Sequence, residues 1–392
     1  MAEDSYTKFF NWLTVNKCIF PKLKLDIKDS IYRTVVSSQD IQKNEKILSV
    51  PLKCIITTEL AYNRHSEIPC DDHTIISIFL LEEREKTDSF WKPYIDILPK
   101  NYNHMALFFN GELLKELQGT LALDKIQGRK VQLRKDYDKV CMFLPGFSRF
   151  SLDDFIWARL VTITRVFGFD VKGKDMTGLV PLADMLNHKN PEKDTGFTET
   201  TWGYDNKLGD FYIKSNKNIK PNREIYDSYG FKCNSRFFVN YGFTVNDNDD
   251  DDETEMFNGK YHVPGFYRPA RDGIAKTKSM FSELRDNSIS DKFMREFKLL
   301  LKIEEEAKRR ISEFKLSFEE YDKLRLECND FVNRCIYTMC HSELKVLKKY
   351  EKMCKYLIPI LKNNKINKLY DKKGRVVKSG LKLIDEYLED LK

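Results

Sequence analysis

The sequence predicts an α+β protein in which a strand-rich unit, interrupted by a helical insertion, is followed by an all-helical region. Short runs rich in Val, Ile and Thr occur before residue 71 and again after residue 176, which is typical of strands. Between these runs, and again after residue 256, apolar residues recur at helical spacing. An acidic run at residues 247–255 precedes the last region, and so many like charges favour a solvated linker.

The residue pattern of the strand-rich unit predicts one helix followed by strands. Residues 5–16 carry Tyr6, Phe9 and Leu13 at helical spacing, which indicates a short amphipathic helix. Three short β-branched runs come next, and we expect them to form a small antiparallel sheet: residues 31–37, 46–50 and 54–58. Three more strands are predicted between turns that contain Asn or Gly: residues 197–202, 211–215 and 224–228.

Helical patterns mark the insertion and the C-terminal region. Residues 74–85 fit a helix, and a capping box from Ser151 to Asp154 begins another, with Gly168 as its expected end. Apolar faces between residues 293 and 361 predict a helical bundle. We therefore divide the chain into residues 1–71 and 176–246 as two halves of one domain, 72–175 as a helical insertion, 247–255 as a linker and 256–392 as a helical domain.

Composition excludes several classes of protein. Of the 392 residues, 41% are hydrophobic and 32% are charged. No apolar run approaches the ~18 residues that span a bilayer, so we expect no membrane-spanning segment and no membrane as a partner. The first residues lack the features of a signal or transit peptide, and we expect the protein to be cytoplasmic, with the nucleus as the alternative. The nine cysteines include no Cys-x-x-Cys pair, so we predict reduced thiols and no metal site.

The net charge of +6 is carried by the C-terminal region. Basic and acidic residues are interspersed there rather than grouped in blocks, which favours a solvated, lysine-rich helical surface over a nucleic-acid site. We therefore do not expect nucleic acid as the partner. Salt-dependent binding of DNA or RNA by this region would support that alternative, and its absence would remove it.

Three motifs in the middle of the chain carry the functional signal: residues 181–188 (PLADMLNH), 224–230 (EIYDSYG) and 234–243 (NSRFFVNYGF). In this order and spacing they resemble the core of the SET-domain protein methyltransferases, specifically the subfamily named for the Rubisco large-subunit lysine methyltransferase. Residues 45–51 and 89–99 add further matches, so the resemblance covers roughly residues 5 to 245. It implies a β-rich SET domain with a helical insertion, followed by an all-α C-terminal domain.

The resemblance implies an enzyme, a protein-lysine N-methyltransferase with S-adenosylmethionine as its cofactor. Asn187 and His188 would contact this cofactor, with Asp184 packed beneath them. Asparagine offers a donor and an acceptor to the amino acid end of the cofactor, whereas an isolated Asn-His pair more often caps a turn. Tyr229 is the predicted catalytic residue and a cofactor contact, because its hydroxyl would point at the methyl group. A tyrosine that ends a strand is the structural alternative.

Aromatic and basic side chains would complete the site. By resemblance, Tyr241 lines the substrate channel and Phe243 stacks on adenine, although core packing explains two aromatic residues equally well. Arg165 matches a family arginine near the active site and the channel, and a solvent-facing salt bridge is its alternative. An apolar channel and the adjacent sulfonium would lower the pKa of an acceptor lysine from about 10.4, so that no dedicated base is needed.

The chain departs from the family at its first cofactor element. Where the family has Gly-x-Gly, this sequence has Tyr32-Arg33-Thr34. Three alternatives follow: a shifted loop in which Arg33 binds the cofactor carboxylate, weak cofactor binding, or a fold kept for binding alone. The leading hypothesis is methylation of a lysine on a non-histone protein that docks on the C-terminal helical domain. A catalytically inactive SET-fold adaptor and a histidine-directed methyltransferase are the alternatives.

Overall fold

The computed structural model describes residues 2–27, 32–192, 195–246, 248, 253–256, 261–264, 288 and 292–362. The chain divides into two compact units. The first comprises Met1–Tyr102 and Lys130–Phe231, and the second comprises Asn103–Arg129 and Lys232–Lys392. Parts of the predicted acidic linker and of the predicted C-terminal domain lie outside the described residues: 247, 249–252, 257–260, 265–287, 289–291 and 363–392.

The first unit contains short strands that pair into several small sheets. Its strands are β1 (Leu23–Ile27), β2 (Arg33–Ser37), β3 (Lys46–Pro51), β4 (Ile56–Thr57), β5 (Val166–Val171), β6 (Lys174–Leu179), β7 (Asn187–His188), β8 (Thr200–Asp205), β9 (Asp210–Ser215) and β10 (Tyr226–Asp227). Two antiparallel sheets have the strand orders β3-β9-β8 and β4-β6-β5. In addition, β1 pairs antiparallel with β2, and β7 pairs parallel with β10.

The prediction that the first three strands form one antiparallel sheet is wrong. Strands form close to the predicted positions, but β2, β3 and β4 pair with β1, β9 and β6 respectively, and so belong to three different sheets. Leu48 of β3, for example, lies opposite Ile213 of β9. The apolar pattern of a strand selects which face is buried but does not select the partner strand. Pairing therefore depends on tertiary packing.

The helices, in chain order, are α1 (Ala2–Val15), α2 (Thr58–Arg64), α3 (Asp72–Glu85), α4 (Lys92–Ile95), α5 (Gly111–Lys115), α6 (Leu121–Phe143), α7 (Leu152–Arg165), α8 (Asn234–Tyr241), α9 (Lys292–Ser312), α10 (Phe318–Glu327) and α11 (Phe331–Lys362). In the first unit, α3 packs against α7, and the hydroxyl oxygens of Ser77 and Thr162 lie 3.1 Å apart between them. Asp71 accepts a hydrogen bond from the backbone of Thr74 and pairs with Arg159 of α7 at 3.0 Å, so one carboxylate caps α3 and joins it to α7.

The predicted opening helix and the capping box are confirmed. The Ser151 hydroxyl accepts from the Asp154 amide, and the Asp154 carboxylate accepts from the Ser151 amide. However, α7 ends at Arg165, and Gly168 lies inside β5 rather than at a helix end. Residues in this strand alternate between buried and more exposed positions, a two-residue period that overrides the glycine as a stop signal. Strands therefore resume within the predicted helical insertion, whereas the domain boundaries stay a prediction.

The second unit contains the C-terminal helices, as predicted. Its core is built from buried side chains on α9, α10 and α11, among them Leu300, Ala307, Tyr321 and Leu347. Glu343 of α11 is also buried and accepts a hydrogen bond of 2.7 Å from the Leu121 amide at the start of α6, where free amide groups favour a carboxylate. Two short strands, β11 (Glu253–Met256) and β12 (Tyr261–Pro264), pair antiparallel, so the last residues of the predicted linker lie in a strand.

Three general features bear on the functional class. In the described part of the chain, no helix is both long enough and apolar enough to cross a bilayer. No cluster of His, Cys, Asp or Glu among the described residues is arranged to hold a metal ion. All nine cysteines fall within the described ranges, and each is a free thiol.

Replacing Gly119 with alanine is expected to destabilise the second unit. Gly119 has a φ of +84°, and an added Cβ would lie 2.8 Å from the carbonyl carbon of Glu313 in a neighbouring backbone. We expect Gly119→Ala to lower the free energy of unfolding by about 2 kcal/mol or more. The matched control is Gly128→Ala in α6, where an added Cβ meets nothing within 4 Å; it should stabilise by roughly 0.5–1 kcal/mol.

Urea unfolding followed by circular dichroism measures both glycine variants against the wild type. Equal midpoints for Gly119→Ala and Gly128→Ala would contradict the close approach inferred at Gly119.

Candidate active site

The two-residue strands β7 and β10 bring the first two sequence motifs together. Asn187 lies opposite Tyr226, and His188 lies opposite Asp227, in parallel register. A short 3₁₀ turn, Ala183–Met185, leads into β7. Because the register is defined, the side chains of residues 187 and 188 and those that follow β10 are held in one region of the first unit.

Both amide protons of Asn187 are used within the protein. Its Nδ2 atom donates to Glu224 Oε1 at 2.8 Å and to the backbone carbonyl oxygen of Arg33 at 3.2 Å. Neither bond uses the side-chain oxygen Oδ1. The sequence led us to expect a donor and an acceptor from Asn187, whereas this arrangement leaves only its acceptor for a ligand.

Hydrogen bonds determine the protonation pattern of His188. Its Nδ1 atom lies 3.0 Å from the backbone nitrogen of Tyr229, and its Nε2 atom lies 2.7 Å from Asn190 Oδ1. A backbone N–H can only donate, so Nδ1 is the unprotonated acceptor and Nε2 carries the proton. His188 is therefore a neutral imidazole, and its ring lies 5.1 Å from the ring of Tyr229.

The phenol of Tyr229 is partly buried, and its position is defined by a hydrogen bond. The hydroxyl donates to the Leu186 carbonyl oxygen at 2.9 Å, one residue before Asn187. With its proton committed to this bond, the phenolic oxygen can offer its lone pairs as acceptors. Acceptor lone pairs suit weak CH···O contacts with a polarised methyl group.

Arg165 lies in a buried ion pair rather than in the solvent-facing salt bridge given as its alternative. Its Nη1 atom donates to the backbone oxygen of Asp184 at 2.9 Å and to Asp184 Oδ2 at 3.1 Å. The Tyr94 hydroxyl donates to the same carboxylate at 3.0 Å, and burial together with this carboxylate raises the pKa of Tyr94. This network holds the turn that precedes β7.

Arg33 directs its guanidinium into the protein. Nη1 donates to the Ile97 carbonyl oxygen at 2.7 Å and to the Tyr6 hydroxyl at 3.2 Å. Nearby, Tyr32 is 46% exposed, whereas Thr34 is buried. Three buried polar atoms of this region have no hydrogen-bond partner among the described residues: Arg33 Nη2, Arg165 Nε and Asp184 Oδ1. Buried polar atoms are normally paired, so these are candidate ligand contacts.

Tyr241 and Phe243 lie in the second unit, where they form an aromatic cluster with Phe237. The rings of Phe237 and Phe243 stack at 5.1 Å, and the ring of Tyr241 lies about 6 Å from each of them. Burial raises the pKa of the Tyr241 phenol. The Nζ atom of Lys232 lies 5.9 Å from the Tyr241 ring centroid, and burial, with a smaller contribution from the nearby Arg236, lowers the pKa of this lysine.

The predicted site residues thus fall into two groups. The first unit holds Arg33, Arg165, Asn187, His188 and Tyr229, and the second holds Tyr241 and Phe243. Two carboxylates of the second motif, Glu224 and Asp227, have no role predicted from the sequence. Glu224 accepts a hydrogen bond from Asn187, and Asp227 is buried within β10. Neither role could be recognised from the spacing of the motif, because the hydrogen bond and the burial depend on distant segments.

Residues 33–230 match the family model described as SET domain. The chain belongs to the SET-domain family. The match begins at Arg33 in β2 and ends at the glycine after Tyr229, so it includes both strands of the parallel pair β7 and β10.

Similarity to curated SET-domain proteins covers part of the chain. A chloroplastic [fructose-bisphosphate aldolase]-lysine N-methyltransferase of Arabidopsis thaliana is 29% identical over 53% of this chain and 45% of the relative. An actin-histidine N-methyltransferase of Gallus gallus is 26% identical over 64% of this chain and 44% of the relative. The chain therefore spans about half the length of the curated relatives it matches.

The solved structure of Rubisco LSMT bound to AdoMet resembles this chain with a TM-score of 0.73 at 20% identity, over 99% of both chains. At this identity the similarity concerns the fold. It confirms the predicted α+β SET fold with a C-terminal helical region.

Stability is expected to depend on pH through Asp227. Burial raises its pKa from 3.8 to about 6, although the Ser228 amide and the Thr200 hydroxyl oppose the rise. The folded protein therefore binds a proton that the unfolded chain has lost, and stability should fall as pH rises from about 4 to about 6. The side chain of Asp227→Asn cannot ionise, so this variant lacks the loss of stability. Between pH 4 and pH 6 its free energy of unfolding should therefore rise by roughly 2–3 kcal/mol relative to that of the wild type.

Urea unfolding between pH 4 and pH 7 tests the role of Asp227. The matched control is Asp175→Asn, an exposed aspartate of β6, which should keep the pH dependence of the wild type. An Asp227→Asn profile parallel to that of the wild type would contradict the prediction.

Proposed function

We propose that this protein transfers a methyl group from S-adenosylmethionine to a lysine side chain of a non-histone protein. The observation that carries the proposal is the position of the Tyr229 phenol, held by the Leu186 carbonyl beside Asn187 and His188. Membership of the SET-domain family and the lysine N-methyltransferase named among the relatives support it. The AdoMet bound to the similar solved structure supports the choice of cofactor.

The residues present fit the amino acid end of this cofactor. Asn187 Oδ1 is an acceptor suited to an ammonium group, and the Nη2 atom of Arg33 is a buried donor suited to a carboxylate. When bound, S-adenosylmethionine would supply a methyl group activated by a sulfonium. These residues would hold its zwitterionic end, because each presents the complementary charge or dipole.

Tyr229 would act at the reacting atoms. Its hydroxyl proton is committed to the Leu186 carbonyl, so its oxygen can accept weak CH···O contacts from the methyl group and orient the amine. Because the phenol is held in place before the reaction, it needs no reorganisation during transfer. The contribution is electrostatic and positional, with no covalent step on the enzyme.

An acceptor lysine must lose its proton before it can attack. Burial does this without a dedicated base, because removal from water disfavours the ammonium form. The same effect is visible within the second unit at Lys232, whose pKa is lowered by burial and by Arg236 beside the Tyr241 ring. We propose that aromatic side chains of this kind, Tyr241 among them, line the acceptor channel.

We further propose that the protein substrate docks on the C-terminal helices. Large apolar side chains exposed on α10 and α11 support a binding surface there, namely Leu326, Phe331 and Tyr356.

We also propose the cytoplasm as the site of action, with the nucleus as the alternative, and the nine free thiols support a reducing compartment. Cell fractionation that finds the protein in a secretory compartment would contradict this location.

Calorimetric titration with S-adenosylmethionine separates the enzyme from an inactive adaptor. The adaptor alternative rests on Tyr32 and Thr34, which replace the family glycines. We expect saturable binding, because Asn187 Oδ1 and Arg33 Nη2 are left to contact the cofactor. Absence of binding at millimolar cofactor would contradict the proposal and leave the adaptor.

Methyl transfer to cell extract with labelled cofactor tests the role of Tyr229. We expect a labelled protein band that Tyr229→Phe weakens by at least roughly tenfold, because the phenolic oxygen is lost. The matched control is Tyr204→Phe in β8, which should label as the wild type does. Bands of equal strength in Tyr229→Phe and wild type would contradict the catalytic role.

Mass spectrometry of the labelled band identifies the acceptor. A methylated lysine is expected, whereas a methylated histidine would support the activity named for the actin-histidine relative. Crosslinking of the identified substrate should join it to lysines of α10 or α11, and crosslinks confined to the first unit would contradict the docking proposal.

A further inference from the structure

The orientation of the Asn187 side-chain amide is set by two acceptors on the same side. An amide can present either its oxygen or its NH₂ group in a given direction, because the two ends are similar in size. Glu224 Oε1 and the Arg33 carbonyl oxygen both face Nδ2, at 2.8 and 3.2 Å. A flipped amide would place its oxygen against these two acceptors, so the flip is strongly disfavoured.

Glu224 is itself held by contacts with residues 32–36 and with its neighbour Tyr226. Its backbone forms an antiparallel bridge with Val36 of β2, and the next residue, Ile225, donates its amide to the Val35 carbonyl oxygen at 2.9 Å. Its carboxylate accepts a hydrogen bond of 2.8 Å from the Tyr226 hydroxyl, and the Tyr32 hydroxyl lies 3.5 Å from both carboxylate oxygens. The carboxylate therefore faces Asn187 with little freedom to turn away.

We propose that Glu224 is a positioning residue for the cofactor: it fixes the Asn187 amide so that Oδ1, and not the NH₂ group, faces the cofactor ammonium. This role rests on the proposed function. In this role Glu224 acts through Asn187, and its own carboxylate does not contact the cofactor. The preorganised amide avoids the free-energy cost of choosing an orientation during binding.

The alternative role for Glu224 is direct pairing of its carboxylate with the cofactor ammonium. The two roles differ in what a glutamine can replace. Glutamine keeps an oxygen that accepts from Asn187 Nδ2 and an NH₂ group that donates to the Tyr226 oxygen, but it carries no charge. Glu224→Gln should therefore preserve positioning and abolish direct charge pairing.

Calorimetric titration of the full chain with S-adenosylhomocysteine, which has the same amino acid end as the cofactor, provides the test. We expect Glu224→Ala and Asn187→Ala each to raise the Kd by about tenfold, and Glu224→Gln to stay within about threefold of wild type. The double variant should bind no more weakly than Asn187→Ala alone, because Glu224 acts through this residue. Glu192→Ala, which removes an exposed carboxylate from the loop after β7, should match the wild type.

Three outcomes of the titration would overturn the positioning role. They are unchanged binding by Glu224→Ala, equal losses in Glu224→Gln and Glu224→Ala, and losses that add in the double variant. A wild type that binds no ligand would contradict the proposed function as well, whereas a wild type that binds while Glu224→Ala is unaffected contradicts only the role of Glu224.

Nuclear magnetic resonance of the ligand-free chain supplies a second readout. The side-chain NH₂ signals of Asn187, assigned by their absence in Asn187→Ala, should exchange slowly with water in wild type and in Glu224→Gln. They should exchange faster in Glu224→Ala. If Glu224→Ala does not fold, fast exchange in the wild type or in Glu224→Gln still overturns the proposal.

Discussion

The parallel pairing of β7 with β10 is the constraint on which the candidate site depends. Each strand contributes two residues, so the ladder alone offers few hydrogen bonds. Side chains supply the rest: Asn187 binds Glu224, His188 accepts from the Tyr229 amide, and the Tyr229 hydroxyl binds the carbonyl of Leu186. All three bonds join the same two segments, so a slip of one residue in register would disrupt them together.

A buried polar network fixes the turn that precedes β7. Arg165 and Tyr94 converge on the carboxylate of Asp184, which is fully buried. A buried ion pair is weak evidence for net stability, but removal of one partner leaves an uncompensated charge, at a cost of about 3–5 kcal/mol. The turn also holds Leu182 at a φ of +71°, an unfavourable conformation that surrounding contacts must maintain. The network therefore serves geometry more than stability.

Helices were predictable from the sequence, whereas sheet pairing was not. The capping box at Ser151 is a local signal, because its hydrogen bonds join residues three apart. Strand partners are not local, and β2, β3 and β4 each pair in a different sheet. The predicted end of the helix at Gly168 is wrong for a related reason: Phe167 and Phe169 are buried on one face of β5, and this burial outweighs the helix-stop signal of Gly168.

The amino-acid sequence by itself determined which residue types occupy the site. Asn187, His188 and Tyr229 lie in two motifs, each of which is an unbroken stretch of sequence, and the spacing between the motifs is characteristic. Only the tertiary structure decided which atom of each residue is available. The amide of Asn187 is oriented by groups 37 and 154 residues away in the chain, and the protonation of His188 depends on a backbone amide 41 residues away. Hydrogen bonding and burial depend on such distant neighbours, and local sequence carries no record of them.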